Sequence, residues 1–208
     1  EEMPLALGAQ LVSLGAILDE LGRHEEALRA HMEALELARG LGARHQFVNV
    51  ALNLLECYRY LERFDEAIAI AEEALALGQA DGTSVLRNNL AGLLVELGKL
   101  QQAEELTLPN TEVSDPTLRA MAWTRLVRIY AELGQPARLQ SALGNTLELA
   151  PLTEYPVARI FAATSLLEHG DAHHRQGALE LVADIDAEAL PAALKTDLLR
   201  VRRLGAKG

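Results

Sequence analysis

The sequence has 208 residues, of which 50% are hydrophobic and only 4% aromatic, and its formal net charge is −11 at pH 7. This acidic balance argues against nucleic-acid binding through a basic face and against attraction to acidic membrane surfaces. A single cysteine excludes an intramolecular disulfide and fits a reducing compartment, and no apolar run reaches the ~18 residues that a membrane span needs.

A short motif recurs at a regular step and indicates a helical repeat. The triplet Glu-Leu-Gly occurs at residues 20–22, 96–98 and 132–134, and a degenerate copy, Glu-His-Gly, occurs at 168–170. The last three of these glycines are spaced by 36 residues, at positions 98, 134 and 170. A fixed period in this range marks a solenoid of stacked helix pairs, a class that usually binds other molecules. The Leu- and Ala-rich composition predicts an all-α chain.

The period divides residues 1–208 into a single array of helix pairs, in which helix A ends at the recurring glycine and helix B follows. A last helix with one apolar stripe suits the end of a stack, because terminal units need a polar outer surface. The N-terminal edge starts abruptly with Leu5 and Leu7, and the chain begins at Glu1 rather than at methionine. We expect a fragment of a longer protein, with that edge covered by an upstream domain or a second copy. The predicted units are residues 5–41, 44–77, 83–113, 116–151 and 156–188, and the capping helix is 191–204.

The pattern breaks at three places, where the array is expected to be irregular. Unit two has Glu62 where the others have a cap glycine, so its turn is expected to differ. Pro109 interrupts helix B of unit three and predicts a short or kinked helix. Pro136, by contrast, is expected at a first helical position, which tolerates proline. In unit five a longer loop, 170–174, precedes a predicted helix B at about 175–187.

The spacing of bulky and small residues resembles that of the tetratricopeptide repeat family. Unit four has Trp123, Leu126 and Tyr130 at the family spacing and Pro151 at the closing position. The resemblance implies a right-handed superhelical solenoid of about five helix-turn-helix units and a role in protein binding. The family's usual unit is about 34 residues, and the longer linkers here resemble repeats of bacterial transcriptional activators and signalling adaptors. Unit one carries the pattern at Leu11, Leu14, Gly15, Leu18, Ala27 and Ala34.

In this family helix A lines a concave groove, and the resemblance carries the groove positions onto this chain. Asn53, Asn89 and Arg125 occupy the same position in consecutive units. An Asn side chain can donate and accept, which suits a peptide backbone, and Arg can pair with carboxylates. The alternative is that these residues are ordinary solvated helix positions. The predicted peptide- or partner-binding residues are Asn49, Asn53, Arg59, Asn88, Asn89, Arg125 and Arg128.

Other chemistry-bearing residues are interpreted as structural. Cys57, beside Tyr58 in an apolar helix, is expected to be an inert core thiol, and His24 and His31 show no partner pattern. No phosphate loop, nucleophile elbow or metalloprotease signature is found, so no catalytic residue, cofactor or metal site is predicted. Three histidines near the last loop are expected to be solvated: His169, His173 and His174.

Three functions follow as hypotheses. The leading one is a protein-interaction module that binds a peptide or partner helix in its groove, within a larger bacterial protein of transcriptional regulation in the cytoplasm. The alternative is a self-association module that forms a homodimer through the N-terminal edge. An enzyme is the third, and no site supports it. No direct nucleic-acid or membrane partner is expected for this segment.

Overall fold

The computed structural model describes residues 2–78 and 82–205, with side chains from Pro4 onward. The chain divides into two compact units, which we call unit 1 (Glu1–Leu93) and unit 2 (Leu94–Gly208) and which are distinct from the five predicted repeat units. Unit 1 contains α1 (Glu2–Glu20), α2 (His24–Gly40), α3 (Arg44–Tyr60), α4 (Phe64–Ala76) and the greater part of α5 (Thr83–Glu96). Unit 2 contains the end of α5, α6 (Leu100–Thr107), α7 (Pro116–Glu132), α8 (Pro136–Leu149), α9 (Pro156–His169), α10 (Ala172–Leu181) and α11 (Ala192–Gly205). All regular structure in the described residues is helical, so the predicted all-α helical-repeat fold is confirmed.

Each unit has its own core, built from leucines and closely packed alanines. In unit 1, Ala27, Ala34 and Ala38 of α2 are buried against the neighbouring helices, and Leu54 and Leu55 of α3 are fully buried. The alanines let the helix backbones approach closely, and each fully buried leucine contributes about 1.5–3 kcal/mol. In unit 2 the largest fully buried side chains include Leu126, Ile129, Leu143, Ile160 and Leu166.

The turn after α3 has the same geometry as its glycine counterparts, so the expected difference at Glu62 is wrong. Gly22 has a φ of 72°, and Glu62 has a φ of 58°. In both turns the amide of this residue donates to the carbonyl three residues back. The next amide, of Arg23 or Arg63, donates to the carbonyl five residues back, at 2.8 Å in each case. This pair of hydrogen bonds closes a Schellman turn with or without glycine, because the flanking helices hold it in place.

The structure of unit 2 agrees with the predictions made for Pro109 and Pro136. Helix α6 ends at Thr107, and a 3-10 helix with Pro109 at its start covers Leu108–Thr111. Pro136 lies in the first turn of α8, where its missing amide hydrogen is not needed. Asp115 is the N-cap of α7, and its carboxylate accepts from the amides of Thr117 and Leu118 at 2.7 and 3.2 Å.

The fifth repeat departs from the predicted boundaries. Gly170 has a φ of −91°, so it does not form the left-handed cap, and α10 begins at Ala172 rather than near residue 175. Asp171 accepts from the amide of His174, and the His174 ring contacts the Asp171 backbone amide, which makes a capping box. His174 is therefore buried in a helix and is not a solvated loop residue. Helix α10 ends at Leu181 and a 3-10 helix covers Ala187–Ala189, so the expected continuous helix to 187 is wrong.

Helix α11 is held against α10 by a side chain that reaches backbone carbonyls. Leu198 and Val201 are buried. Arg202 Nη2 donates to the carbonyl oxygens of Val182 at 2.9 Å and Ile185 at 2.8 Å, just beyond the end of α10. Both carbonyls lie beyond the last residue of α10, and the guanidinium supplies each with a side-chain donor.

Candidate partner-binding site

An apolar pocket of about 190 Å³ lies in unit 1 between α1, α2 and the start of α3. Helix α1 contributes small and aliphatic residues, α2 contributes its last turns, and α3 contributes two amide side chains, Gln46 and Asn49. We call this the α1–α3 pocket. Its walls are Pro4, Leu5, Gly8, Ala9, Val12, Ala34, Leu37, Ala38, Leu41, Gln46, Asn49 and Val50.

The size of the α1–α3 pocket decides what it can hold. An apolar cavity of about 150 Å³ is large enough for a benzene ring. Pockets for drug-sized molecules and cofactors measure about 300–1,000 Å³. The α1–α3 pocket therefore fits one large apolar side chain and is too small for a typical organic cofactor. Gln46 and Asn49 are both exposed, so their amides can donate and accept hydrogen bonds from a chain lying across the opening.

The predicted binding residues of unit 1 differ in side-chain exposure and in their neighbours. Asn49 is exposed and lines the α1–α3 pocket, whereas Asn53 and Asn89 are partly exposed. Asn88 is only 3% exposed, which leaves it almost no surface to offer a ligand. Arg59 donates to Glu56 at 2.9 Å and lies over the ring of Tyr60. Of this group, the structure places Asn49 at the pocket and gives Arg59 an acidic neighbour on its own helix.

The predicted binding residues of unit 2 are both arginines on α7. Arg128 is exposed, and its Nε donates to Glu132 at 2.7 Å on the same helix. Arg125 is partly buried; burial lowers its pKa to about 10, and the charge of Glu96 opposes that shift. Exposed ion pairs contribute about 0–1 kcal/mol, so a ligand carboxylate could replace Glu132 at little cost. The alignment of Asn53, Asn89 and Arg125 along one groove stays a prediction.

A polar cluster that the sequence analysis did not find lies inside unit 1. The carboxylate of Asp19, near the end of α1, accepts from His24 Nδ1 at 2.9 Å and from the Cys57 thiol at 3.0 Å. His31 Nε2 lies 3.3 Å from the second carboxylate oxygen of Asp19. Cys57 is buried as expected, but it is hydrogen-bonded rather than surrounded only by apolar groups. We call these four residues the Asp19 cluster.

Burial shifts the pKa of two members of the Asp19 cluster. Burial lowers the pKa of His31, and the hydrogen bond and charge of Asp19 act in the opposite direction. Burial also raises the pKa of the Cys57 thiol, and the hydrogen bond and charge of Asp19 raise it further. The cluster therefore presents a neutral imidazole and a protonated thiol around one carboxylate at pH 7.

One signal in the sequence indicates buried polar contacts in α2 and α3, although it does not identify their partner. His31 interrupts the apolar stripe of α2 between Leu28 and Leu35, and Cys57 interrupts that of α3. A polar side chain inside an apolar stripe requires a buried partner. The partner lies 12 residues from His31 and 38 from Cys57, spacings that match no local motif, so only the packing of three helices identifies it.

The helix pairs define a helical-repeat protein, and part of the chain matches a known family. The family model "Tetratricopeptide repeat" matches residues 7–80. This match covers the part of the chain in which the first two repeat units, 5–41 and 44–77, are predicted. The described helices include none with the length and apolarity required to cross a bilayer.

A curated relative and several solved structures are similar to this chain. BBSome complex member BBS4 from Bos taurus is 34% identical over 120 residues, which are 57% of this chain and 22% of that protein. The chain thus spans about a fifth of that relative's length.

The solved structures are each 19% identical to this chain and are similar in fold. YrrB, described as a TPR protein with an unusual peptide-binding site, has a TM-score of 0.56 and covers 95% of this chain and 89% of its own. BtubC from P. vanneervenii has a TM-score of 0.68, with 98% and 82% covered. A putative kinesin light chain from Podosopora anserina with TPR-like repeats has a TM-score of 0.65, with 100% and 98% covered.

Proposed function

We propose that this chain binds one large apolar side chain of an extended peptide or partner helix in the α1–α3 pocket. The tetratricopeptide-repeat fold supports a role in protein–protein interaction. The observation that carries the finer proposal is the pocket itself: apolar walls, room for a single side chain, and two amides at its edge. Apolar lining provides affinity, and the amides of Gln46 and Asn49 would fix the direction of the bound backbone.

A peptide fits this surface better than a small molecule does. The pocket's volume of about 190 Å³ is below the range of ligand pockets that bury drug-sized molecules. YrrB, a structure of similar fold, is described as having a peptide-binding site, which supports the same ligand class here. The predicted groove residues Asn53 and Asn89 would extend the contact along the peptide from α3 to α5.

The experiment fills the pocket without disturbing the core. Gly8 lines the pocket and a Cβ added there meets no atom within 4 Å, so the side chain of Gly8→Leu has open space from which to occupy the pocket. Gly144→Leu on α8 is the matched control, since a Cβ there also meets nothing within 4 Å and Gly144 does not line the pocket. Peptides would be selected from a displayed random library on the 208-residue chain and their affinities measured by fluorescence anisotropy.

Selected peptides are expected to share one Leu, Phe or Met and to bind Gly8→Leu at least tenfold more weakly. Their affinity for Gly144→Leu should equal that for the natural chain. The double variant Asn53→Ala, Asn89→Ala should weaken binding while the melting temperature stays within about 2 °C, a shift equivalent to roughly 0.5–1 kcal/mol. Failure to select any peptide, or equal binding to Gly8→Leu, would rule out the pocket.

A second candidate function is self-association through α1. Leu7, Leu14 and Leu21 recur at a seven-residue step, and Ile17 lies beside them. All four are exposed, with Leu14, Ile17 and Leu21 at 49, 56 and 65%. Leu7, Leu14 and Ile17 lie on α1 and Leu21 directly follows it, and such a stripe is typical of a helix–helix seam. Leu14→Glu with Leu21→Glu should convert a dimer to a monomer in sedimentation equilibrium, and a natural chain that is monomeric across all concentrations would refute this candidate.

The cellular context follows from the resemblance of the linkers to those of bacterial regulators. We place the chain within a larger bacterial protein of transcriptional regulation in the cytoplasm, acting through protein partners. The net charge of −11 argues against direct contact with nucleic acid, and no enzymatic role is proposed. The test is a pull-down with the chain from an extract of the bacterium that encodes it. Recovery of membrane or secreted proteins alone would contradict this placement.

A further inference from the structure

The Asp19 cluster gathers three different metal-binding donors at one point of unit 1. Among the described residues, Asp19, His31 and Cys57 each offer one ligand atom, and these atoms all lie within 4.8 Å of one another. They come from α1, α2 and α3, whose mutual packing brings them together. We propose that Asp19, His31 and Cys57 form a binding site for one Zn²⁺ ion.

The distances already approach those of a coordinated zinc ion. Zinc bonds of about 2.0–2.3 Å in tetrahedral geometry separate neighbouring ligand atoms by about 3.3–3.5 Å. Here the Cys57 sulfur lies 3.0 and 3.3 Å from the two carboxylate oxygens of Asp19, and His31 Nε2 lies 3.3 Å from one of them. The remaining pair of ligand atoms, His31 Nε2 and Cys57 Sγ, lies within 4.8 Å, so modest side-chain shifts would admit the ion.

The surroundings of His31 indicate that this position requires a side chain with a polar ring rather than an apolar one. The side chain is fully buried, and its Nδ1 has no hydrogen-bond partner within the described part of the chain. A buried unsatisfied nitrogen costs about 1–3 kcal/mol, which an apolar residue of similar size would avoid. Gly15 provides the space for the ring: a Cβ there would lie 2.3 Å from His31 Cε1.

The donor set selects the metal. A thiolate with an imidazole and one carboxylate is typical of zinc, whereas Mg²⁺ and Ca²⁺ prefer oxygen ligands alone. Binding replaces the thiol proton of Cys57 with the metal, and that proton leaves to the solvent. The Asp19 side chain is 22% exposed, so a water molecule can reach the fourth coordination position.

His24 acts outside the coordination shell as a positioning residue. Its Nδ1 bonds to Asp19 Oδ1 at 2.9 Å, and its ring stacks on Tyr60 with centroids 4.7 Å apart. The stacked ring is thereby fixed, and it orients the carboxylate for the metal. Loss of such an outer-shell partner typically lowers metal affinity by about 10–100-fold.

The test measures zinc binding by the full 208-residue chain without a histidine tag. After treatment with chelator and reductant, the chain is titrated with Zn²⁺ under native mass spectrometry, and with Co²⁺ under absorption spectroscopy. The variants are Cys57→Ser, His31→Gln and His24→Gln. The control is His173→Gln, which removes an exposed histidine from α10. Circular dichroism confirms that each variant keeps its helix content.

The expected result is one zinc per chain, a thiolate-to-cobalt charge-transfer band, and a rise in melting temperature with Zn²⁺ that chelator reverses. Cys57→Ser should lose the band and at least 100-fold in affinity, and His24→Gln about 10–100-fold. His173→Gln should bind as the natural chain does. If Cys57→Ser or His31→Gln fails to fold, the band in the natural chain decides the question. Absence of zinc uptake, or a cobalt complex without the thiolate band, overturns the proposal and leaves a hydrogen-bonded cluster only.

Discussion

Glu62 holds a backbone conformation that L residues rarely adopt, and replacing it tests how much strain the turn carries. Its φ of 58° is left-handed, which costs a non-glycine residue about 1–2 kcal/mol. Glycine removes that cost but loses about 0.5–1 kcal/mol of chain entropy on folding. Glu62→Gly should therefore raise the free energy of unfolding by about 0.5–1 kcal/mol, and the melting temperature by about 1–4 °C. Glu62→Ala keeps the strain and should give no gain; equal gains from both variants would contradict this explanation.

Also at the scale of the residue, the sequence predicts structural roles that depend on neighbours within one turn. It does not predict roles that depend on contacts with side chains from other parts of the fold. Pro109 and Pro136 were placed correctly because a missing amide hydrogen and a fixed φ act within one turn. His174 was misplaced because its ring completes a capping box with Asp171, a reciprocal contact that the Asp-Ala-His-His order does not reveal. Asn88 is only 3% exposed, and a groove position carried over from the family does not report how deeply a side chain is buried.

At the scale of the element, α7 depends on one carboxylate for its start. Asp115 accepts two amide hydrogens that the first turn would otherwise leave unpaired. Asp115→Ala should lower the free energy of unfolding by about 0.5–2 kcal/mol. Asp115→Asn keeps the acceptor oxygen and should stay within a few tenths of a kcal/mol of the natural chain. Chemical denaturation of the three proteins gives the comparison, and an equal loss in the Asn variant would assign the effect to charge rather than capping.

The helices themselves were predicted well because leucine and alanine recur at the helical step and glycine or proline marks most ends. Helix α9 spans residues 156–169 as expected, and the short α6 follows from Pro109. The Asp19 cluster could not be predicted at this scale, because it joins one residue from each of three helices and the first residue of α2. Its geometry is a property of helix packing in unit 1, and no single helix contains it.

For the whole molecule, net charge governs solubility. The chain carries −11 at pH 7, and its isoelectric point is about 5.0. Repulsion between copies disappears as the charge approaches zero, while the exposed stripe of α1 remains available for contact. Solubility measured from pH 4 to pH 8 should be lowest near pH 5. The variant with Leu14→Glu and Leu21→Glu adds negative charge and should shift that minimum to lower pH; a flat profile for the natural chain would contradict the explanation.

The hydrogen bonds of Arg202 determine where this chain can be truncated or fused to another protein. Its guanidinium donates to carbonyls that follow α10, so α11 serves as a detached end-cap for a helix that ended about 20 residues earlier. A fragment that stops between the 3-10 helix at Ala187–Ala189 and α11 would leave those carbonyls without the guanidinium of Arg202. A reporter or linker is therefore better attached beyond residue 205, because the stability of the fifth helix pair depends on a segment that lies outside it.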